Sequence, residues 1–122
     1  MNESRRVLVV EDDVRFGTLL TEVLQAAGHQ AELATTSAAA LEAAEADTPD
    51  VLCVDIDLPD GTGWALLDEL ERRAIEPATV VVTSASIGAS KTRHRPGTFI
   101  LPKPFPIDSL LRLVNGEQLP EI

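Results

Sequence analysis

Apolar runs in this chain end in side chains that could do chemistry together. Val7-Leu8-Val9-Val10 ends in Glu11-Asp12-Asp13, and Val51-Leu52-Cys53-Val54 ends in Asp55-Ile56-Asp57. Thr79-Val80-Val81-Val82 ends in Thr83-Ser84, and Thr98-Phe99-Ile100-Leu101 leads through Pro102 to Lys103. Carboxylates gathered in one place repel: a pair about 5 Å apart costs roughly 3 kcal/mol at an effective dielectric near 20. A raised pKa, a cationic side chain or a metal must offset this. Oxygen ligands from Glu11, Asp12 and Asp55, with no His or Cys at the same positions, suit a hard ion, Mg²⁺ or Mn²⁺. Lys103 adds a fixed positive charge, and Thr83 or Ser84 a hydroxyl donor. A carboxylate nucleophile, a divalent metal, a lysine and a hydroxyl are what phosphoryl transfer to an aspartate requires.

Taken singly, each feature has a plain explanation. Glu11-Asp12-Asp13 could be acids favoured at a helix start, Thr83 and Ser84 could be turn formers, and Lys103 could be a loop lysine. Their joint placement at strand ends is what carries weight, so the elements that position them matter. Val51 to Val54 is an unbroken apolar run, the pattern of a central parallel strand covered on both faces. Pro59, Gly61 and Gly63 then interrupt regular structure and predict an irregular loop after Asp55. Asp13 can cap a helix to about Ala27, with Phe16, Leu20, Val23, Leu24 and Ala27 at helical spacing and Gly28 as its stop.

Ala31 to Thr35 reads as a weak edge strand, and Ser37 as the cap of an Ala-rich helix over 38–46 carrying Leu41 and Ala44 inward. A third helix is predicted from Trp64 to about Arg73, burying Leu67 and Leu70. A last helix capped by Asp108 runs to about Val114 and uses Leu110, Leu111 and Val114. Residues 87–97 lack an apolar stripe, so a short or irregular helix is expected there. Alternation of strand and helix specifies a parallel sheet with helices on both faces and right-handed crossovers. All strand C-termini then open on one edge, where ligands of such sheets bind.

Composition narrows the classes. At 122 residues the chain suits one domain, and 44% hydrophobic with 25% charged residues describes a globular protein. A net charge of −10 argues against direct contact with nucleic-acid backbones or anionic membranes. The lone Cys53 lies in an apolar run and suits packing. With no signal peptide and no membrane-length apolar stretch, a cytoplasmic address without membrane insertion is expected.

The chain resembles the receiver domain of two-component response regulators over almost its whole length. The resemblance rests on Val7 to Asp13, on Asp55-x-x-x-Pro59 with Gly63, on Thr83-Ser84-Ala85, and on Lys103-Pro104-Phe105. It implies a flavodoxin-like (βα)5 sandwich with a five-stranded parallel sheet in the order 2-1-3-4-5. It implies that Asp55 accepts a phosphoryl group from a phosphohistidine on a sensor histidine kinase or histidine phosphotransferase. Glu11, Asp12 and Asp55 would hold Mg²⁺ with the Asp57 backbone carbonyl, and Lys103 would pair with the carboxylate and then the phosphoryl oxygens.

Thr83, which directly ends the valine run, is preferred as the switch hydroxyl, with Ser84 as the alternative. Asp57 lies where the family tunes the lifetime of the phosphoryl group. Ile100 stands where many members place a Tyr or Phe, and Phe99 is one position off. The expected unit is a single receiver domain over 1–122 without an effector domain. It catalyses only its own phosphorylation and dephosphorylation, and acts on a downstream protein target by docking or phosphotransfer. Two other classes compete: a haloacid-dehalogenase-type phosphatase, suggested by Asp55-Ile56-Asp57, and a receiver-like interaction module that is not phosphorylated.

Overall fold

The computed structural model describes residues 3–85 and 97–117. The short or irregular helix expected over 87–97 lies, all but Gly97, outside the described residues. A five-stranded parallel sheet forms from β1 (Arg6–Val10), β2 (Gln30–Ala34), β3 (Val51–Asp55), β6 (Thr79–Ser84) and β7 (Thr98–Pro102). Their order is β2-β1-β3-β6-β7, which is the expected 2-1-3-4-5 once the short strands β4 (Asp57–Leu58) and β5 (Gly61–Thr62) are set aside. Every residue of β3 is buried, as its unbroken apolar run requires. The weak strand β2 takes an edge. Among the described residues, no helix is long and apolar enough to cross a membrane.

Strand alternation divides the core in two. Val7, Val9, Val51, Cys53, Val81 and Leu101 pack against Leu20 and Leu24 of α1 (Val14–Ala26) and Leu110 and Leu113 of α4 (Ile107–Val114). Leu8, Val10, Leu52, Val54 and Val82 pack on the other face, against Ala40 and Ala44 of α2 (Ser37–Ala46) and Leu66 and Leu70 of α3 (Gly63–Arg72). Burial of the Cys53 thiol pushes its pKa up to about 12, which leaves it an inert core group.

Several local expectations are corrected. Asp57–Leu58 and Gly61–Thr62 pair as a small antiparallel hairpin where an irregular loop was predicted. Leu58 drives this, since pairing lets it bury beside Leu66 and Val54. Thr36, not Ser37, is the N-cap of α2, its hydroxyl accepting from the Ala39 amide. On α3 Leu66 is fully buried with Leu70, while Leu67 packs partly buried against the same core. Pro106 rather than Asp108 caps α4, since Ile107 already enters the helix to pack on the core. Asp108 instead lies in the first turn, paired with Arg112 at 3.2 Å. Leu113, not Leu111, joins Leu110 and Val114 in full burial, and on α1 Ala27 is exposed as the C-cap residue.

The hairpin also ties down a distant helix. The Ser37 amide donates to Asp60 Oδ1 at 2.8 Å and the Ala38 amide to Oδ2 at 3.1 Å, so α2 starts on a carboxylate from another element. These backbone hydrogen bonds hold the Asp60 pKa below its ordinary 3.8. A carboxyl with a depressed folded-state pKa contributes stability that is present above 3.8 and lost as pH falls through its folded value. Asp60→Asn is therefore expected to lower the melting temperature at neutral pH and to narrow the gap to wild type below pH 4. Parallel melting curves across that range check this, and a gap that persists unchanged in acid would remove the charge from the account.

Candidate functional site

The C-terminal edge of the sheet gathers the side chains that the strand ends predicted. Parity explains how. Glu11, Asp55, Thr83 and Lys103 continue the alternation of Val9, Cys53, Val81 and Leu101, so all emerge on the face covered by α1 and α4. Ser84 continues Val82 and belongs to the opposite face. Asp55 and Thr83 are direct neighbours in the β3–β6 register.

Lys103 is the centre of the cluster. Its Nζ donates to Glu11 Oε1 at 2.7 Å and to Asp55 Oδ2 at 3.0 Å. The other oxygens are also engaged: the Asp13 amide donates to Glu11 Oε2 and the Asp57 amide to Asp55 Oδ1, both at 3.1 Å. Glu11 and Asp55 are nearly inaccessible, at 2% and 5%, whereas Asp12 and Asp57 are exposed. Burial raises the Glu11 pKa, and the Lys103 and Asp13 hydrogen bonds only partly counter it, while the Asp55 charge adds to the rise. Burial also acts to lower the Lys103 pKa, but its bonds to Glu11 and Asp55 more than offset this and leave it raised.

Three carboxylates against one ammonium leave the cluster net negative. One oxygen each from Glu11, Asp12 and Asp55 lies within 4.8 Å of the others. That spread is close to the roughly 4 Å between opposite ligands of Mg²⁺, and an all-oxygen donor set suits a hard cation. The residues present fit the ion. The Asp57 carboxylate stands outside this group of side chains, and its backbone reaches the site through the amide bond to Asp55.

The backbone beyond the acceptor strand is tightly held. The Ile56 amide donates to Thr83 O at 3.0 Å, and Gly63 donates to Ile56 O at 2.8 Å. A Cβ at Gly63 would lie 2.6 Å from the Asp55 carbonyl oxygen, so only glycine lets α3 begin this close to the site. On the far side the Lys103–Pro104 peptide is cis.

Phe16 and Phe105 were not read from the sequence as parts of the site. The Lys103 Nζ stands over the Phe16 ring, 5.3 Å from its centroid, and Phe105 meets that ring edge-on at 5.8 Å. Helical spacing marked Phe16 only as a core residue. The signal available was its place three residues after Asp13, in the first turn of the helix that leaves the acidic strand end.

Known proteins are similar to this chain in sequence and fold. The family model for the response regulator receiver domain matches residues 7–115. The chain is 36% identical over 111 residues to the DNA-binding transcriptional regulator NtrC of Escherichia coli (strain K12), covering 89% of this chain and 24% of NtrC. It is 32% identical over 124 residues to the photosynthetic apparatus regulatory protein RegA of Rhodovulum sulfidophilum, covering 98% of this chain and 68% of RegA. The solved receiver domain of the Francisella response regulator 1452 matches with a TM-score of 0.81 at 27% identity, covering 91% of this chain and 94% of that one. The chain spans about a quarter of the NtrC relatives it matches. A receiver match over this length displaces the phosphatase alternative. The chain belongs to the response regulator receiver domain family, the phosphoacceptor signalling modules of two-component systems.

Proposed function

We propose that Asp55 takes a phosphoryl group from a phosphohistidine on a sensor histidine kinase or histidine phosphotransferase. The observation that carries this is the pair of bonds from Lys103 Nζ to Asp55 and Glu11, which sets a buried carboxylate beside a fixed cation at an acidic edge. In the transfer, an Asp55 oxygen forms the new bond to phosphorus as the phosphorus–nitrogen bond of the donor breaks, and the electron pair leaves with the imidazole. Lys103 neutralises charge on the carboxylate and then on the phosphoryl oxygens. Thr83, on the face of the sheet that bears Asp55, donates its hydroxyl to a phosphoryl oxygen, the local change by which phosphorylation is sensed. Glu11, Asp12 and Asp55, with the Asp57 carbonyl, are the residues that would hold Mg²⁺ or Mn²⁺. The ion, when bound, supplies positive charge against the equatorial phosphoryl oxygens.

Residues 1–122 act in this reading as one receiver unit whose only catalysis is its own phosphorylation and dephosphorylation. It signals to a downstream protein target by docking or by passing the phosphoryl group on. Intact-protein mass after incubation with acetyl phosphate tests the proposal. One added phosphoryl group is expected with Mg²⁺ and none with EDTA. A chain that gains no group from acetyl phosphate or from a phosphorylated histidine phosphotransferase would instead be a receiver-shaped docking protein.

A further inference from the structure

We infer that Phe16 is a positioning residue for Lys103, and that its ring face sets how readily Asp55 takes up a phosphoryl group. The inference rests on the proposed roles of Asp55 and Lys103. A lysine ammonium is a compact charge on a flexible four-carbon stem. Here it has carboxylates on one side, Glu11 at 2.7 Å and Asp55 at 3.0 Å. On another side lies the Phe16 ring, with Nζ 5.3 Å from the centroid, within the range at which a ring face attracts a cation.

The ring is itself held. Phe16 donates its backbone amide to Asp13 Oδ1 at 3.2 Å, and Phe105 packs edge-on against it at 5.8 Å and an interplanar angle of 65°. The next residue brings the helix in: a Cβ at Gly17 would meet Leu33 Cδ1 at 2.5 Å, so α1 lies close on β2 at this turn. Beside Lys103 a cleft of about 460 Å³ opens, lined by Asp13, Phe16, Ala85, Lys103, Pro104 and Phe105. Without the aromatic face, the stem has room to swing toward this cleft and away from Asp55. A longer Nζ–Asp55 distance weakens charge neutralisation where it is needed, while donor binding is left alone.

Two variants separate positioning from packing. Phe16→Leu keeps an apolar side chain and removes the ring face, and Phe16→Tyr keeps the face. The chain has only Lys91 and Lys103 as lysines, so their side-chain NMR signals are readily assigned. In the unphosphorylated protein, the Lys103 ε-proton signals are expected to be ring-shifted in wild type and Phe16→Tyr, and to lose that shift in Phe16→Leu. With acetyl phosphate and Mg²⁺, Phe16→Leu is expected to lower the saturating phosphorylation rate about two- to fivefold. Half-saturation by donor should not move, and Phe16→Tyr should match wild type. Equal rates in all three proteins would overturn the inference, as would an equal loss in both variants, which marks packing alone. If wild type takes no phosphoryl group from any donor, the role given to Asp55 fails instead, and the lysine signals still decide whether Phe16 holds the ammonium.

Discussion

Asp55→Asn is expected to take up no phosphoryl group from acetyl phosphate or from a phosphorylated histidine phosphotransferase, while folding as wild type does. The amide has no anionic oxygen to offer phosphorus, so the loss is one of chemistry rather than of binding. The fold should persist because the local bonding survives. Asn can still accept the Asp57 amide through its carbonyl oxygen, and Lys103 keeps Glu11 at 2.7 Å. A neutral side chain is also cheaper to bury than a carboxylate. The expected change in unfolding free energy is within about 1 kcal/mol, since one interaction of Lys103 is lost and one repulsion with Glu11 is relieved. The same relief gives a second readout. The Asp55 charge contributes to the raised Glu11 pKa, so Glu11 should titrate closer to 4.5 in the variant. Mass spectrometry and carboxyl-carbon NMR check the two parts separately. A phosphoryl group on the variant, mapped to another residue, would remove Asp55 from its role.

Strands and their ends were legible because the signal is local and redundant. A run such as Val51 to Val54 states both extended structure and burial on two faces. Topology then brings the carboxylates, hydroxyl and lysine to one edge without any further information. Other features depend on contacts across the chain that no local pattern encodes. Asp60 reads as an ordinary turn residue after Pro59, yet it receives the first amides of α2, twenty-odd residues earlier in the chain. Phe16 satisfies a helical stripe and so hides its contact with Lys103. The choice between Thr83 and Ser84 turns on which core half each side chain faces, and both residues end the same valine run. The placement of Val81 with Cys53 and of Val82 with Val54 supplies the parity that puts Thr83 on the face bearing Asp55. The caps of α2 and α4 were each misplaced by one or two residues, where competing side chains sit side by side and tertiary packing decides.

Lys103→Met is expected to destabilise the protein by about 2–3 kcal/mol at neutral pH and to lose part of that deficit in acid. Methionine keeps the length of the stem and removes the charge, so the change isolates electrostatics. In wild type the ammonium lies between Glu11 and Asp55, whose side chains are 3% and 6% exposed. Without it, carboxylate oxygens within 4.8 Å face one another. That repulsion is about 3 kcal/mol at an effective dielectric near 20, and partial access of water to the Lys103 position argues for somewhat less. The sign of the pH effect follows from Glu11. Its folded-state pKa is already raised by burial, and removal of Lys103 takes away the largest opposing influence, its hydrogen bond. An acid with a raised folded-state pKa has its stabilising protonation complete below the ordinary 4.5 and lost as pH rises through the folded value. Protonation of Glu11 abolishes the repulsion, so the deficit against wild type should shrink as pH falls from 7 toward 4.5. Mg²⁺ should narrow it at constant pH, because without the Lys103 ammonium the folded carboxylates bind the cation more tightly than they do in wild type, and binding to the folded state stabilises by mass action. Urea unfolding at both pH values, with and without Mg²⁺, measures all three effects. A deficit that stays constant across them would mean that the loss does not come from Glu11–Asp55 repulsion, and that the two carboxyls do not need the Lys103 charge to be buried together.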